Sequence, residues 1–155
     1  MPYVIIKNMD KIEKKIKILL VDDDKMMRIY FRDIFWVHGR NDKYEVMIVS
    51  SLEEANEKIV DPLTKPDTIF LDVMMPVVGG NSSSEFHIKR CLDFISKIKQ
   101  TPELSKTKIV IYSGQKDKSL QDAVNKLGVD GYLIKGELMP KEIIAFTDKL
   151  HESNN

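Results

Sequence analysis

The stretch Ile16-Lys17-Ile18-Leu19-Leu20-Val21-Asp22-Asp23-Asp24 decides the fold. A short apolar run that ends in three acids reads as a buried strand. From Asp24 the period changes. Met27, Phe31, Ile34 and His38 fall on one helical face. Asp24 is a natural cap for that helix, Gly39 a natural end, and His38 near its C-terminus suits the helix dipole. A strand buried on both faces and followed at once by a helix is the unit of a parallel sheet with helices on each side.

The same alternation repeats downstream. Tyr44 to Val49 is a second strand. Ser51-Leu52-Glu53-Glu54 reads as a capping box ahead of a short helix carrying Leu52, Ala55 and Ile59, closed by Asp61-Pro62. Asp67 to Asp72 is a third strand, again ending in an acid. Pro76, Gly79 and Gly80 mark a loop, and Asn81 to Ser84 offer several caps for a long helix with Ile88, Leu92 and Ile95 on one face, stopped at Thr101-Pro102. Lys108 to Tyr112 is a fourth strand. Leu120, Ala123, Val124 and Leu127 make an amphipathic helix closed by Gly128. A fifth strand lies in Val129 to Ile134, shortened near Gly131. Pro140 opens a last helix with Ile143, Phe146 and Leu150. In such sheets ligands bind beyond the carboxyl ends of the strands. Those ends deliver Asp22 and Asp23, Asp72, Ser113 and Lys135. Carboxylates crowded in one crevice repel each other unless a hard divalent cation joins them. A hydroxyl and an ammonium beside them suit phosphoryl oxygens. The set reads as a place where Mg²⁺ and a phosphoryl group meet a carboxylate.

Composition sets outer bounds. The chain has 155 residues, 43% of them hydrophobic and 31% charged, enough for one domain with a full core. Lys plus Arg and Asp plus Glu number 24 each, so neither a nucleic-acid coat nor a polybasic membrane anchor is expected. Cys91 alone allows no intrachain disulfide and fits a reducing compartment. Val4-Ile5-Ile6 is too short for a signal-peptide core, and no run approaches a membrane span. A cytoplasmic protein is expected, with an N-terminal extension over 1–15, one domain over 16–151 and a polar tail over 152–155. His38, His87 and His151 lack metal-ligand spacing. His87 and Cys91, four apart, read as a partly buried helix surface. Met26-Met27 and Met74-Met75 read as packing in the core or at the site edge. Phe35 and Trp36 are left open between packing and a surface anchor.

Val21-Asp22-Asp23, Phe70-Leu71-Asp72 with Met75-Pro76, Tyr112-Ser113-Gly114 and Gly131-Tyr132-Leu133-Ile134-Lys135 together resemble the receiver domain of two-component response regulators. Motifs on four strands agree in order and spacing, from about Ile16 to about Leu150. The resemblance implies a flavodoxin-like, doubly wound (βα)5 fold, five parallel strands in the order 2-1-3-4-5. It implies that Asp72 accepts a phosphoryl group from a histidine kinase or histidine phosphotransfer protein. Asp22, Asp23, Asp72 and the backbone carbonyl of Met74 would hold Mg²⁺. Lys135 would pair with a phosphoryl oxygen, and Ser113 and Tyr132 would act as the switch. A target protein would then read the face of the fourth helix, fifth strand and fifth helix. Met74 and Gln115 occupy positions that tune hydrolysis. Methionine cannot orient a water and glutamine can, so a moderately long-lived phosphorylated state is expected.

Three features depart from the family pattern. Gly136 follows Lys135 where proline after a cis peptide is usual. The stretch from Asp72 to Ser113 is long, which points to an extended third helix and the loop Thr101 to Thr107. Gly79-Gly80 replaces the commoner Asp-Gly. Few residues follow the last helix, so a stand-alone receiver without a DNA-binding output domain, and without enzymatic turnover of its own, is expected. Its rivals are an unphosphorylated pseudo-receiver scaffold and an aspartyl-nucleophile phosphohydrolase. The latter would want an acid where Met74 stands. A nucleotide- or flavin-binding domain would want a glycine-rich loop after Val21, where this chain is acidic.

Overall fold

The structure, a computed structural model, describes residues 14–74 and 83–152. Five parallel strands, β1 (Ile16–Val21), β2 (Tyr44–Val49), β3 (Thr68–Leu71), β4 (Lys108–Ser113) and β5 (Gly131–Ile134), form one sheet in the order β2-β1-β3-β4-β5. Five helices alternate with them: α1 (Lys25–Val37), α2 (Leu52–Val60), α3 (Ser84–Gln100), α4 (Lys118–Lys126) and α5 (Pro140–Leu150). This is the flavodoxin-like arrangement expected from the sequence. Its switch in strand order falls between β1 and β3.

Side-chain alternation along the strands divides the core. Ile18, Leu20, Phe70, Val110 and Tyr112 pack with Phe31, Ile34 and Phe35 of α1 and with Ile143 and Ile144 of α5. Leu19, Val21, Ile69, Leu71, Ile109 and Ile111 face the other way, against α2, α3 and α4. On the first side Phe31 is the hub. Its ring lies 4.9 Å from Phe70 and 5.7 Å from Tyr112, centroid to centroid. Truncating such a buried ring costs about 3–5 kcal/mol. Phe35 is buried and Trp36 beside it is exposed, which resolves the choice left open.

The helix ends follow from local chemistry. Asp24 accepts from the N–H groups of Met26 and Met27, and Gly39 ends α1 with φ of +66°. Ser51 caps α2 through Glu54 N–H, but Glu54 reaches to the Ser50 N–H and hydroxyl instead of to Ser51. The expected box is therefore closed one residue early. Ser83 is the cap of α3, which runs 17 residues to Gln100 and gives way at Thr101 to a 3₁₀ turn, Pro102–Leu104. α3 and the 3₁₀ turn after it both lie within the long interval between Asp72 and Ser113. β3 is shorter than the sequence suggests: Asp67 spends its carboxylate on the Lys17 N–H, and Asp72 already stands beyond the strand. The loop glycines Gly79 and Gly80, with Met75, Pro76, Asn81 and Ser82, lie outside the described residues. So does Val4-Ile5-Ile6.

Candidate functional site

The ladder continues one residue past each strand and fixes where the functional groups start. Asp22 N–H donates to Val49 O, Asp72 N–H to Val21 O and Lys135 N–H to Ser113 O. Three loops thereby present their first side chains, Asp22, Asp72 and Lys135, at the rim where Ser113 ends β4. Asp22 and Ser113 are wholly buried, Asp72 nearly so, and Asp23 is exposed. One oxygen each from Asp22, Asp23 and Asp72 lies within 4.8 Å of the others. This is the one such His/Cys/Asp/Glu group among the described residues.

Lys135 supplies the cation of the site. Its Nζ stands 2.6 Å from Asp22 Oδ2 and 2.8 Å from Asp72 Oδ2, joining the ends of β1, β3 and β5. The chain turns immediately afterwards at Gly136, φ +83°, through a trans peptide. A left-handed turn at glycine replaces the proline expected from the family and still aims the lysine inward. Burial alone would pull the Lys135 ammonium down. Its bonds to Asp22 and Asp72 outweigh burial and raise it, so it stays charged. For Asp22 burial wins: its carboxyl is raised against the opposing contacts from Lys135 and the Asp24 N–H.

The oxygens are unequally served. Asp22 Oδ1 accepts from Asp24 N–H at 2.9 Å, and Asp72 Oδ1 from Met74 N–H at 3.0 Å. Asp22 Oδ2 is buried and has the ammonium nearby but no aligned hydrogen bond. Two of the three carboxylates, Asp22 and Asp72, therefore share one ammonium, Asp23 stands beside them, and a buried oxygen of Asp22 is left without an aligned donor. That donor set, hard and all oxygen, fits a divalent cation such as Mg²⁺.

Around this centre Ser113 Oγ accepts from Gln115 N–H at 3.2 Å. Tyr132, half-buried, donates its hydroxyl to Gln115 O at 2.7 Å, and Lys116 pairs with Glu137. The loop after β4 is thus tied to β5 and to the loop after it. Met74 is half-buried, packed on the α3 side of the core.

Several residues differ from their sequence reading. Met26 is exposed rather than packed. His87 and Cys91 are both buried, not a partly exposed surface. The Cys91 thiol lies 3.8 Å from Asp72 O and 3.7 Å from Val73 O, directly beneath the strand end. Burial, aided by the Asp72 charge, pushes it up to about 12. Arg28, which sequence reasoning passed over, donates from Nη1 to Asp22 O at 2.9 Å. Its one signal was its place on the helix that follows the acids.

A family model for the response regulator receiver domain matches residues 18–147. The chain belongs to that family. Over 123 residues, 79% of this chain and 45% of the relative, it is 28% identical to the transcriptional regulatory protein DegU of Brevibacillus brevis. It spans less than half the length of that and two other curated relatives. Its fold matches a response regulator from Thermotoga maritima with TM-score 0.71, at 20% identity, covering 90% of this chain and all of the other. It also matches the Mn(2+)-bound form of response regulator Rcp1 with TM-score 0.64, at 18% identity, covering 88% and 96%. Among the described residues no helix is long and apolar enough to cross a membrane.

Proposed function

We propose that this receiver accepts a phosphoryl group on Asp72 from the phosphohistidine of a kinase or phosphotransfer protein. The observation that carries the reading is the lysine bridge: Lys135 Nζ contacts Asp22 and Asp72 together, with Asp23 completing the acidic trio. An Asp72 oxygen attacks phosphorus, the phosphorus–nitrogen bond breaks with its pair staying on nitrogen, and a donor ring already protonated at its other nitrogen leaves as neutral imidazole. The product is an acyl phosphate. Lys135 holds one phosphoryl oxygen. Ser113 leaves its bond with Gln115 N–H to donate to another, and Tyr132 turns toward the space so vacated. Asp22, Asp23, Asp72 and the Met74 carbonyl would hold Mg²⁺. When bound, the ion offsets the charge that develops on the phosphoryl oxygens. That a neighbour of the same fold is a Mn(2+)-bound form supports binding of a divalent cation.

The output is a protein contact on the face of α4, β5 and α5, because Tyr132 and the loop after β4 belong to it. The functional unit covers residues 16–151, acts in the cytoplasm, and turns over no substrate beyond slow loss of its own phosphoryl group. The Lys135 contacts favour this over a pseudo-receiver, and Met74 in place of an acid disfavours a phosphohydrolase. The test is intact-mass measurement after treatment with acetyl phosphate and Mg²⁺. A phosphate-sized gain in the parent and none in Asp72→Asn is expected; equal masses for both would overturn the reading. Decay of the adduct within a few seconds would overturn the assignment of Met74 and Gln115 to a long-lived state.

A further inference from the structure

Arg28 has no part in the steps above, yet it touches the loop on which they depend. It stands near the start of α1, half-buried, and its Nη1 donates to the backbone carbonyl of Asp22. Among the described residues it forms no ion pair with any carboxylate, although it follows a run of three acids. The carboxyl of Glu54 in α2 is held low first by the Ser50 hydroxyl and N–H and, to a smaller extent, by the Arg28 charge. The guanidinium thus lies against the loop after β1. Asp22 is fixed by its N–H on Val49 and its side chain on Asp24 and Lys135. Arg28 supplies the hold on its carbonyl, the peptide group that leads into Asp23.

We infer that Arg28 is a positioning residue for the divalent cation: it clamps the Asp22–Asp23 peptide so that both carboxylates face Asp72. This rests on the reading of Asp22, Asp23 and Asp72 as cation ligands. Three successive aspartates repel one another, and an unclamped loop relieves that repulsion by spreading. A charge-assisted hydrogen bond from a planar donor opposes the spreading with a fixed direction.

Two effects of removing Arg28 have opposite signs, which makes the inference decidable. As a mere nearby positive charge, Arg28 repels the incoming cation, and its loss would tighten binding. As a clamp, its loss weakens binding, by about tenfold or more for an outer partner of a metal ligand. The experiment titrates the full chain with Mn²⁺ and follows free Mn²⁺ by electron paramagnetic resonance, for the parent, Arg28→Gln and Arg28→Lys. Thermal melting in EDTA establishes that each is folded. Weaker binding by Arg28→Gln, with Arg28→Lys between it and the parent, supports the clamp. Unchanged or tighter binding by Arg28→Gln overturns the clamp alone. Should Arg28→Gln fail to fold, Arg28→Lys decides, since it keeps the charge and loses the fork: reduced affinity supports the clamp and parental affinity overturns it. A parent that binds no Mn²⁺ overturns the site reading and the inference with it.

Discussion

The two ends of the sheet solve opposite charge problems. At the carboxyl ends three carboxylates gather around one ammonium that contacts only Asp22 and Asp72, and a buried Asp22 oxygen lacks an aligned donor. At the amino ends a single carboxylate, Asp148 of α5, receives Arg40, Lys43 at 2.9 Å and the Tyr44 hydroxyl at 2.6 Å. Burial works against the Asp148 charge, but the bonds from Tyr44, Lys43 and Arg40 prevail and hold its carboxyl below the usual range. Nearby, Thr68 at the start of β3 bonds the His151 ring. The over-served carboxylate is a staple that joins α5 to the chain before β2. The under-served trio is a donor set that could hold a cation. Counting donors per carboxylate therefore separates architecture from chemistry within one fold.

The largest expected contrast is chemical. Asp72→Asn loses all phosphoryl gain from acetyl phosphate, whereas Asp148→Asn retains it; mass spectrometry of the two would break the comparison if Asp148→Asn also failed while folded. Next, saturating Mg²⁺ stabilises the parent against urea by about 2.7 kcal/mol at a hundred times its dissociation constant. Asp23→Asn loses most of that increment, and Asp148→Ala keeps it. Asp148→Ala itself costs about 1–3 kcal/mol, because Tyr44, Lys43 and Arg40 lose their shared acceptor, seen as a lower urea midpoint in EDTA. An unchanged midpoint would show that the staple holds nothing.

The smallest effect is on pH dependence. Burial lowers the His151 ring below its ordinary 6.5. The unfolded chain then takes the proton first, so this group's contribution is complete above pH 6.5 and declines as pH falls toward the folded-state value. His151→Gln should flatten the slope of unfolding free energy just below pH 6.5. Asp148 has the same sign in the acid range: its lowered carboxyl contributes above the ordinary 3.8 and loses that contribution as pH falls. Asp22 has the reverse sign. Its raised carboxyl contributes at low pH and loses that contribution as pH rises through its folded-state value. An identical slope in His151→Gln and the parent would remove the histidine from this account.

The carboxyl end was far more legible in sequence than the amino end, for a physical reason. Asp22, Asp23, Asp72, Ser113 and Lys135 each sit at the step from a strand to its loop, so the hydrophobic period alone places them on one rim. The Asp148 staple joins residues 104 to 108 positions apart, across two elements with no shared period. Nothing local announces it. Asp24 and Ser83 were readable as caps because a cap is a neighbour interaction. Ser51 was half readable, since Glu54 chose Ser50, a preference that only the end of β2 explains. The aim of Lys135 was not readable, because it depends on the sign of φ at Gly136. Arg28 was missed because its partner is a main-chain oxygen, which carries no residue label.

The solitary thiol under the end of β3 has a practical corollary. Cys91 is almost fully covered by β3 and α3, and its acidity is too weak to furnish thiolate at neutral pH. An alkylating reagent can reach it only while the long helix is parted from the sheet. Modification rate is consequently a clock for that separation, a native label placed where no dye had to be engineered.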